Sequence, residues 1–163
     1  MSGTTLPGEL YSPEHLGVVI IELRNFIARM NDREVRKKVT GATGEAMPPL
    51  SRLAERLLQA NELTPSKLEG IEQLLKKLEA IRTEAPTVHI VLAELPDATL
   101  RQQLADWFRT QADSHTLLTF AMRSDIGGGL LLQSGSHLYD FSFRTQLLAN
   151  KQRLAEILTH GRK

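Results

Sequence analysis

The segment Met122–Arg144 reads MRSDIGGGLLLQSGSHLYDFSFR, and its order of residue types decides the fold of the C-terminal half. Two short apolar runs, Leu130–Gln133 and His137–Tyr139, flank the tripeptide Ser134-Gly135-Ser136. A connection of this length with a glycine is typical of a β-hairpin, because glycine adopts the positive φ that tight turns need. The segment therefore predicts two antiparallel strands.

Two further strands and a helix are predicted before the hairpin. Val88–Leu92 is a candidate strand. His115–Met122 alternates in strand fashion and is fairly apolar on both sides, which indicates an inner strand. Between them, Pro96-Asp97 caps an amphipathic helix. The inward residues of this helix are expected to be Leu100, Leu104, Trp107 and Phe108.

A last helix is predicted from about Ser142 to Thr159, with an inward row made of Phe143, Leu147, Leu154 and Leu158. Strand, helix, strand, hairpin and helix in this order predict a small α+β unit. The pattern changes from helical to strand-like at Glu84-Ala85-Pro86, which predicts a domain boundary there. We therefore expect a domain over residues 1–85 and a second over residues 86–163.

The N-terminal half has the periodicity of an all-helical bundle of about four helices. Ser12-Pro13 is an N-cap followed by proline at the first helical position, and Thr64-Pro65 repeats this pattern before a later helix. A helix over Pro49–Ala60, ended by Asn61, and a short polar helix over residues 32–39 complete the bundle. The inward stripes are Leu16, Val19, Ile20, Leu23, Phe26, Ile27 and Met30 in the first helix, and Leu68, Ile71, Leu74, Leu75, Leu78 and Ile81 in the last.

The face of the first helix opposite its inward stripe is more apolar than a solvated surface usually is. It carries Gly17, Val18, Ile21 and Ala28. This face is either a second buried face of the bundle or a surface that binds a partner. Val18 and Ile21 are the candidate partner-binding residues.

Charge and composition disfavour several classes of function. The formal net charge is +1, which gives no electrostatic reason to expect nucleic acid or an anionic membrane as a partner. The basic run Arg33–Lys38 is interrupted by Glu34 and has no aromatic platform, so a solvated helix face is favoured over a phosphate site. The absence of cysteine excludes disulfides and thiolate chemistry, and neither a membrane span nor a signal peptide is expected.

No catalytic, cofactor-binding or metal-binding residue is predicted, and the protein is expected not to be an enzyme. Gly127-Gly128-Gly129 precedes an apolar strand rather than a helix and lacks a following Lys-Ser or Lys-Thr pair, which favours a structural bend over a phosphate loop. The five histidines are scattered without metal-ligand spacing, and no serine occupies a nucleophile elbow. Asp140 or Ser142 is expected to cap the last helix, and Arg123 to neutralise a nearby carboxylate.

Taken as one piece, Met122–Arg144 resembles the C-terminal signature of the delta subunit of F-type ATP synthases, the family of the mitochondrial oligomycin-sensitivity-conferring protein. The resemblance covers mainly residues 86–160. The N-terminal half lacks the usual opening pattern of the family's six-helix bundle, so the bundle is expected to be short or divergent. The signature residues, taken as structural, are Arg123, Asp125, Gly127, Gly128, Gly135, Asp140, Ser142 and Arg144.

The resemblance implies a non-catalytic stator subunit in the peripheral stalk, which takes part in proton-coupled ATP synthesis without a cofactor. The partners that it implies are the N-terminal helices of the alpha subunits and the C-terminal ends of the b subunits. It also implies peripheral attachment, through the complex, to the cytoplasmic side of the plasma membrane. Leu148 and Ile157, on the outer side of the last helix, are candidates for the stalk contact.

A second function stays open from the sequence, namely a free-standing helical adaptor whose C-terminal domain has a similar fold. Such an adaptor would associate with itself or with other proteins, and would not be recovered with ATP synthase subunits.

Overall fold

The computed structural model describes residues 3–40 and 46–149. Helix α1, Pro13–Thr40, begins after Ser12, whose Oγ accepts a hydrogen bond from the His15 N–H at 3.2 Å. The predicted start of this helix is therefore confirmed. The helix continues without interruption to Thr40, so the prediction of a separate polar helix over residues 32–39 is wrong. The segment 31–39 contains neither glycine nor proline, so α1 continues through it.

Two shorter helices complete the helical half. Helix α2, Arg52–Ala60, ends at Asn61, as predicted, but it begins three residues after Pro49, where the side chain of Ser51 caps it. Helix α3 spans Leu68–Glu84 and begins later than the Thr64-Pro65 pair suggests. Thr64 forms a turn instead: its carbonyl accepts from the Lys67 N–H at 3.0 Å, and its hydroxyl lies 3.1 Å from that of Ser66. The hydroxyl is therefore engaged within the turn, and the cap is lost.

The helical core is made largely by the two predicted stripes. Every residue of the α1 stripe is buried, whereas Leu68 and Leu75 of α3 are only partly buried. Helix α2 contributes Ala54, Leu57 and Leu58. Because α1 buries nothing after Met30 in the described chain, its last ten residues extend beyond this core.

A four-stranded mixed sheet forms the second half and confirms the α+β class. Its strands are β1 (Thr87–Leu92), β2 (Leu117–Met122), β3 (Gly129–Ser134) and β4 (His137–Ser142), arranged in the order β2-β1-β3-β4. Strands β1 and β2 are parallel and joined through helix α4, Ala98–Gln111. Strands β3 and β4 form the predicted antiparallel hairpin, which turns at Gly135 with a φ of +57°.

Strand β2 lies at an edge of the sheet, so the prediction of an inner strand is wrong. It is apolar on both sides because its two faces meet two different cores. Leu117 packs into the helical core, and its neighbour Leu118 packs with Val88 and Ile90 under α4. This contact joins the two halves of the chain, and the division into domains at residue 86 stays a prediction.

The buried face of α4 is rotated from the predicted one. Ala105 is fully buried, and Leu104 and Phe108 pack against the sheet as expected. Leu100 and Trp107, however, are 45% and 57% exposed, so their predicted inward positions are wrong. The rotation turns Arg109 toward the chain's first residues, where its guanidinium forms hydrogen bonds.

The N-terminal segment, residues 3–12, crosses from the helices to the sheet. Arg109 donates to the carbonyls of Leu6, Pro7 and Leu10 at 3.1, 3.1 and 2.7 Å. At the edge of β2, the Leu118 N–H donates to the Tyr11 carbonyl at 2.7 Å. The segment therefore occupies part of the β2 edge, which would otherwise expose unpaired backbone groups.

Helix α5 is described over Phe143–Ala149. Phe143 is 55% exposed, so its predicted place in an inward row is wrong. Its ring lies over Gly128 instead of entering a core. The predicted continuation to Thr159, with Leu154, Ile157 and Leu158, lies outside the described residues.

Candidate partner-docking surfaces

The charged residues of the signature segment lie together at one end of the sheet. Arg123 follows β2, Asp125 lies in a short 3₁₀ turn over Ser124–Ile126, and Asp140 and Ser142 end β4. They line one shallow depression with Arg144 and the exposed side chain of Leu148. Arg123 and Arg144 thus share one surface although they are 21 positions apart in the sequence. We call Arg123, Asp125, Asp140, Ser142 and Arg144 the signature cluster.

Two carboxylates in the signature cluster are held by specific donors. Arg123 donates to the two carboxylate oxygens of Asp125 from Nε and Nη2 of its guanidinium, at 3.1 and 2.5 Å. Asp140 accepts from the Ser142 N–H at 2.8 Å and from the Thr145 hydroxyl at 2.6 Å. Ser142 in turn accepts from the Thr145 N–H at 3.4 Å, which is the bond of a helix N-cap. These contacts fix the junction between β4 and α5.

The same donors lower the pKa values of both carboxyl groups. The hydrogen bond from Arg123 and its positive charge lower the pKa of Asp125, and hydrogen bonds from Ser142 and Thr145 lower that of Asp140. Asp125 in turn raises the pKa of Arg123. Both carboxyl groups are exposed to solvent, so the pairing orients side chains more than it adds stability.

A proton titration followed by NMR tests the Asp140 contacts. Because its pKa is lowered in the folded state, its contribution to stability is present above the ordinary carboxyl value near 3.9 and is lost as the pH falls through the folded-state pKa. We expect a titration midpoint for Asp140 below about 3.9. Thr145→Val removes one donor and should raise the midpoint; an unchanged midpoint would show that this bond does not form in solution.

The glycines of the signature segment shape the backbone. Gly127, Gly128 and Gly129 have φ values of +68°, +126° and +80°. The Gly128 carbonyl accepts from the Phe143 N–H at 3.0 Å, which attaches the glycine bend to the start of α5. A side chain at Gly129 would lie 2.4 Å from the Phe141 carbonyl oxygen. Gly135 lies at the other end of the hairpin, away from this cluster.

A second candidate surface runs along the outer side of α1. Val18 and Ile21 are 63% and 56% exposed, and Ala28 is exposed as well, so this face is not a second buried face of the described chain. Gly17 differs: it is buried close to the guanidinium of Arg82. Val18, Ile21 and Ala28 of the predicted patch are therefore at the surface, and Gly17 is not part of it.

The exposed side of α1 extends further than the sequence reasoning predicted. Val35 and Val39 are 60% and 78% exposed, and they continue the row of Val18 and Ile21 at alternating spacings of three and four residues. That spacing is the sequence signal that could have identified them. We call the full row the α1 seam; its members are Val18, Ile21, Asn25, Ala28, Asp32, Val35 and Val39, all exposed.

A third exposed surface lies on β4, which sequence reasoning treated only as half of a hairpin. Tyr139 and Phe141 are about half exposed, and their rings stack at 6.4 Å on one face of the sheet. His137 continues the row at 6.5 Å from Tyr139. The alternation of aromatic residues along β4 was the available signal. Of the two residues predicted to contact the stalk, Leu148 is 61% exposed, and Ile157 lies outside the described residues.

Within residues 3–40 and 46–149, no group of acidic or histidine side chains is arranged to hold a metal ion. Among the described helices, none is both long and apolar enough to cross a membrane.

Comparison with known families gives one match, which extends beyond the C-terminal half. The family model for the ATP synthase delta (OSCP) subunit matches residues 22–154 and so includes most of α1, α2 and α3 as well as the sheet. Comparison with the curated proteins gave no match. Since the family match covers most of the sequence, the chain belongs to the ATP synthase delta (OSCP) subunit family.

Proposed function

We propose that this chain is the stator subunit that links the alpha subunits of the catalytic head to the b subunits of the peripheral stalk. Family membership makes it a peripheral-stalk component of an F-type ATP synthase, in a family of structural and generally non-catalytic subunits. In the proposed role it holds the head static while the rotor turns during proton-coupled synthesis. It is attached through the complex to the cytoplasmic side of the plasma membrane.

The observation that carries this proposal is the exposed apolar side of α1, opposite the side that packs into the helical core. A link that bears torque needs slow dissociation, and apolar helix-in-groove contacts provide it better than long-range charge attraction. Val18 and Ile21 are available for such a contact because they are exposed and take no part in the helical core. We assign this side of α1 to the N-terminal helices of the alpha subunits.

The signature cluster and Leu148 form the proposed contact with the b subunits. Leu148, on α5, is exposed and lines the same depression as the charged side chains of the cluster. Such an arrangement allows apolar contact at the centre and polar contacts at the rim, as in many protein interfaces. The two proposed contacts then lie on different halves of the chain, as a linking subunit requires.

Capture from cells tests both contacts with single substitutions. We expect the tagged chain to capture alpha and b subunits, and Val18→Asp or Ile21→Asp to reduce recovery of the alpha subunit about tenfold or more, because a carboxylate in an apolar contact must be desolvated. Leu148→Asp should instead reduce recovery of the b subunits. The readout is quantitative mass spectrometry of the captured proteins.

Gln73→Glu is the matched control, since it adds the same charge at an exposed position of the helical half, on α3 and outside α1. It should leave recovery of both partners unchanged. Circular dichroism of each variant must match that of the parent chain. If Val18→Asp or Ile21→Asp unfolds the helices, the residue supports the core and the assignment is wrong. Recovery of other proteins with no synthase subunit would favour a free-standing adaptor.

A further inference from the structure

The α1 seam has the geometry of one strand of a coiled coil. Its members recur at alternating steps of three and four residues, so they occupy the a and d positions of successive heptads. The row spans residues 18–39, a distance of about 32 Å along the helix. It passes from the part of α1 that packs on the core to the last ten residues, where nothing is buried after Met30.

The last residues of α1, 31–40, would gain stability from a partner helix. Residues 31–39 bury no apolar side chain, and Asp32, Arg33 and Arg36 line a depression with Ala46 and Pro48. A helical segment with so little burial is marginal in water, and β-branched residues lower its helical propensity further. Val35 and Val39 are nevertheless exposed there, on the same row as Val18 and Ile21. A second helix along the seam would cover all four of these side chains at once.

The positions that border the seam have a strong bias of charge. In the heptad register they are the e and g positions, which set partner choice in coiled coils. Four of them are basic, namely Arg24, Arg29, Arg36 and Lys38, and the guanidinium of Arg24 pairs with Glu79 of α3. Glu22 is the one acidic residue among them, and its carboxylate accepts hydrogen bonds from the backbone and hydroxyl of Ser51. The borders therefore complement an acidic helix.

The polar members of the seam favour a protein helix over a membrane surface. Asn25 and Asp32 occupy a positions, where polar residues reduce stability but fix the register of a partner. A membrane-binding helix has instead a broad apolar face with large side chains such as Trp, Phe or Leu. The seam is narrow, contains no aromatic residue, and has a carboxylate in its middle.

We propose that the α1 seam pairs with one amphipathic helix of a partner protein, a helix with apolar residues in heptad spacing and acidic residues along its borders. The proposal rests on the proposed function and deepens it, since it specifies the side-chain pattern and the heptad register of the alpha-subunit helix that binds α1. It extends the contact from Val18 and Ile21 to Val35 and Val39. The basic residues that follow Met30 select the partner instead of only solvating the helix.

Two synthetic peptides of about 28 residues, four heptads each, test the charge selection on the full chain. Both have apolar a and d positions with one lysine at an a position to face Asp32; one has glutamate at all e and g positions, the other lysine. Fluorescence anisotropy measures binding. We expect the acidic peptide to bind about tenfold more tightly than the basic one, from several border pairs each worth a fraction of a kcal/mol. Amide hydrogen exchange of residues 31–40 should slow when it binds.

Two variants separate the charge and apolar parts of the proposal. Arg29→Glu combined with Lys38→Glu should remove or reverse the preference, and Ile21→Asp should abolish binding of both peptides. These positions are exposed, so circular dichroism should stay unchanged. The proposal is overturned if neither peptide binds, if both bind equally, or if the double variant keeps the original preference. Tighter binding to vesicles of phosphatidylglycerol, or self-association that displaces the peptide, overturns it as well.

The proposed function is tested separately by capture of synthase subunits from cells. Capture of the alpha subunit without charge selection by the peptides would overturn only the inference about the seam. If the acidic peptide binds more tightly but no synthase subunit is captured, the stator assignment is overturned. The seam would then bind an acidic helix of another protein.

Discussion

Replacement of Gly129 by alanine is expected to lower the free energy of unfolding by about 4 kcal/mol, from a left-handed conformation that costs ~1–2 and a backbone clash that costs a few more. Its φ is +80°, and a Cβ would lie 2.4 Å from the Phe141 carbonyl oxygen and 2.9 Å from the Ser142 Cα. Both atoms belong to the backbone of β4, so no side-chain rotation relieves the clash. Urea denaturation measures the effect.

Two other glycines of the signature segment distinguish the cost of a left-handed backbone from the cost of a steric clash. Gly127 and Gly135 also have positive φ, but nothing lies within 4 Å of a Cβ at either position. Gly127→Ala should therefore cost only about 1 kcal/mol, and Gly135→Asn close to nothing, because asparagine tolerates the left-handed region. If Gly129→Ala were no more destabilising than Gly127→Ala, the close approach to β4 would not exist in solution.

Replacement of Arg109 by methionine is expected to cost about 3 kcal/mol, because several hydrogen bonds from a charged donor are lost and their acceptors are left partly buried. Methionine keeps most of the apolar stem but donates nothing to the carbonyls of Leu6, Pro7 and Leu10. Burial lowers the pKa of Arg109, and the nearby Asp106 opposes this shift. The guanidinium stays charged at neutral pH, since its ordinary pKa is far higher.

Two measurements distinguish this role from general packing. Amide exchange of Leu10 and Leu118 should accelerate in Arg109→Met, because the N-terminal segment is no longer held against α4 and the β2 edge. Arg109→Lys should fall between the parent and methionine variants, since an ammonium keeps the charge but cannot reproduce the planar fork. Equal stability of the parent and Arg109→Met would contradict the role assigned to this guanidinium.

The link between the halves matters for the proposed stator role. Leu117 of β2 packs into the helical core, and Arg109 of α4 binds carbonyls of the N-terminal segment. Two contacts with different chemistry hold α1, and with it the surface that we propose binds the catalytic head, against the sheet. A subunit that transmits torque between two partners needs such stiffness, because a free hinge would absorb the load.

Local rules acting on neighbouring residues determined much of the secondary structure from the sequence alone. The cap at Ser12, the stripe of α1 and the hairpin around Gly135 each follow from residues within a few positions of one another. The resemblance to the delta family could be found in the same way, since the signature segment is one continuous run. Hydrophobic periodicity also placed Val18 and Ile21 opposite the core stripe.

Tertiary structure decided what local pattern leaves open. An apolar residue such as Leu117 or Trp107 has the same sequence signal whether a distant element covers it or not, and the former proved buried while the latter proved exposed. The edge position of β2 depends on how the four strands pair, and the bonds of Arg109 depend on a segment about 100 residues away. The sequence by itself determined which elements form, because their rules are local; the packing of the whole chain decided which faces remain for partners, because burial depends on everything that folds against a residue.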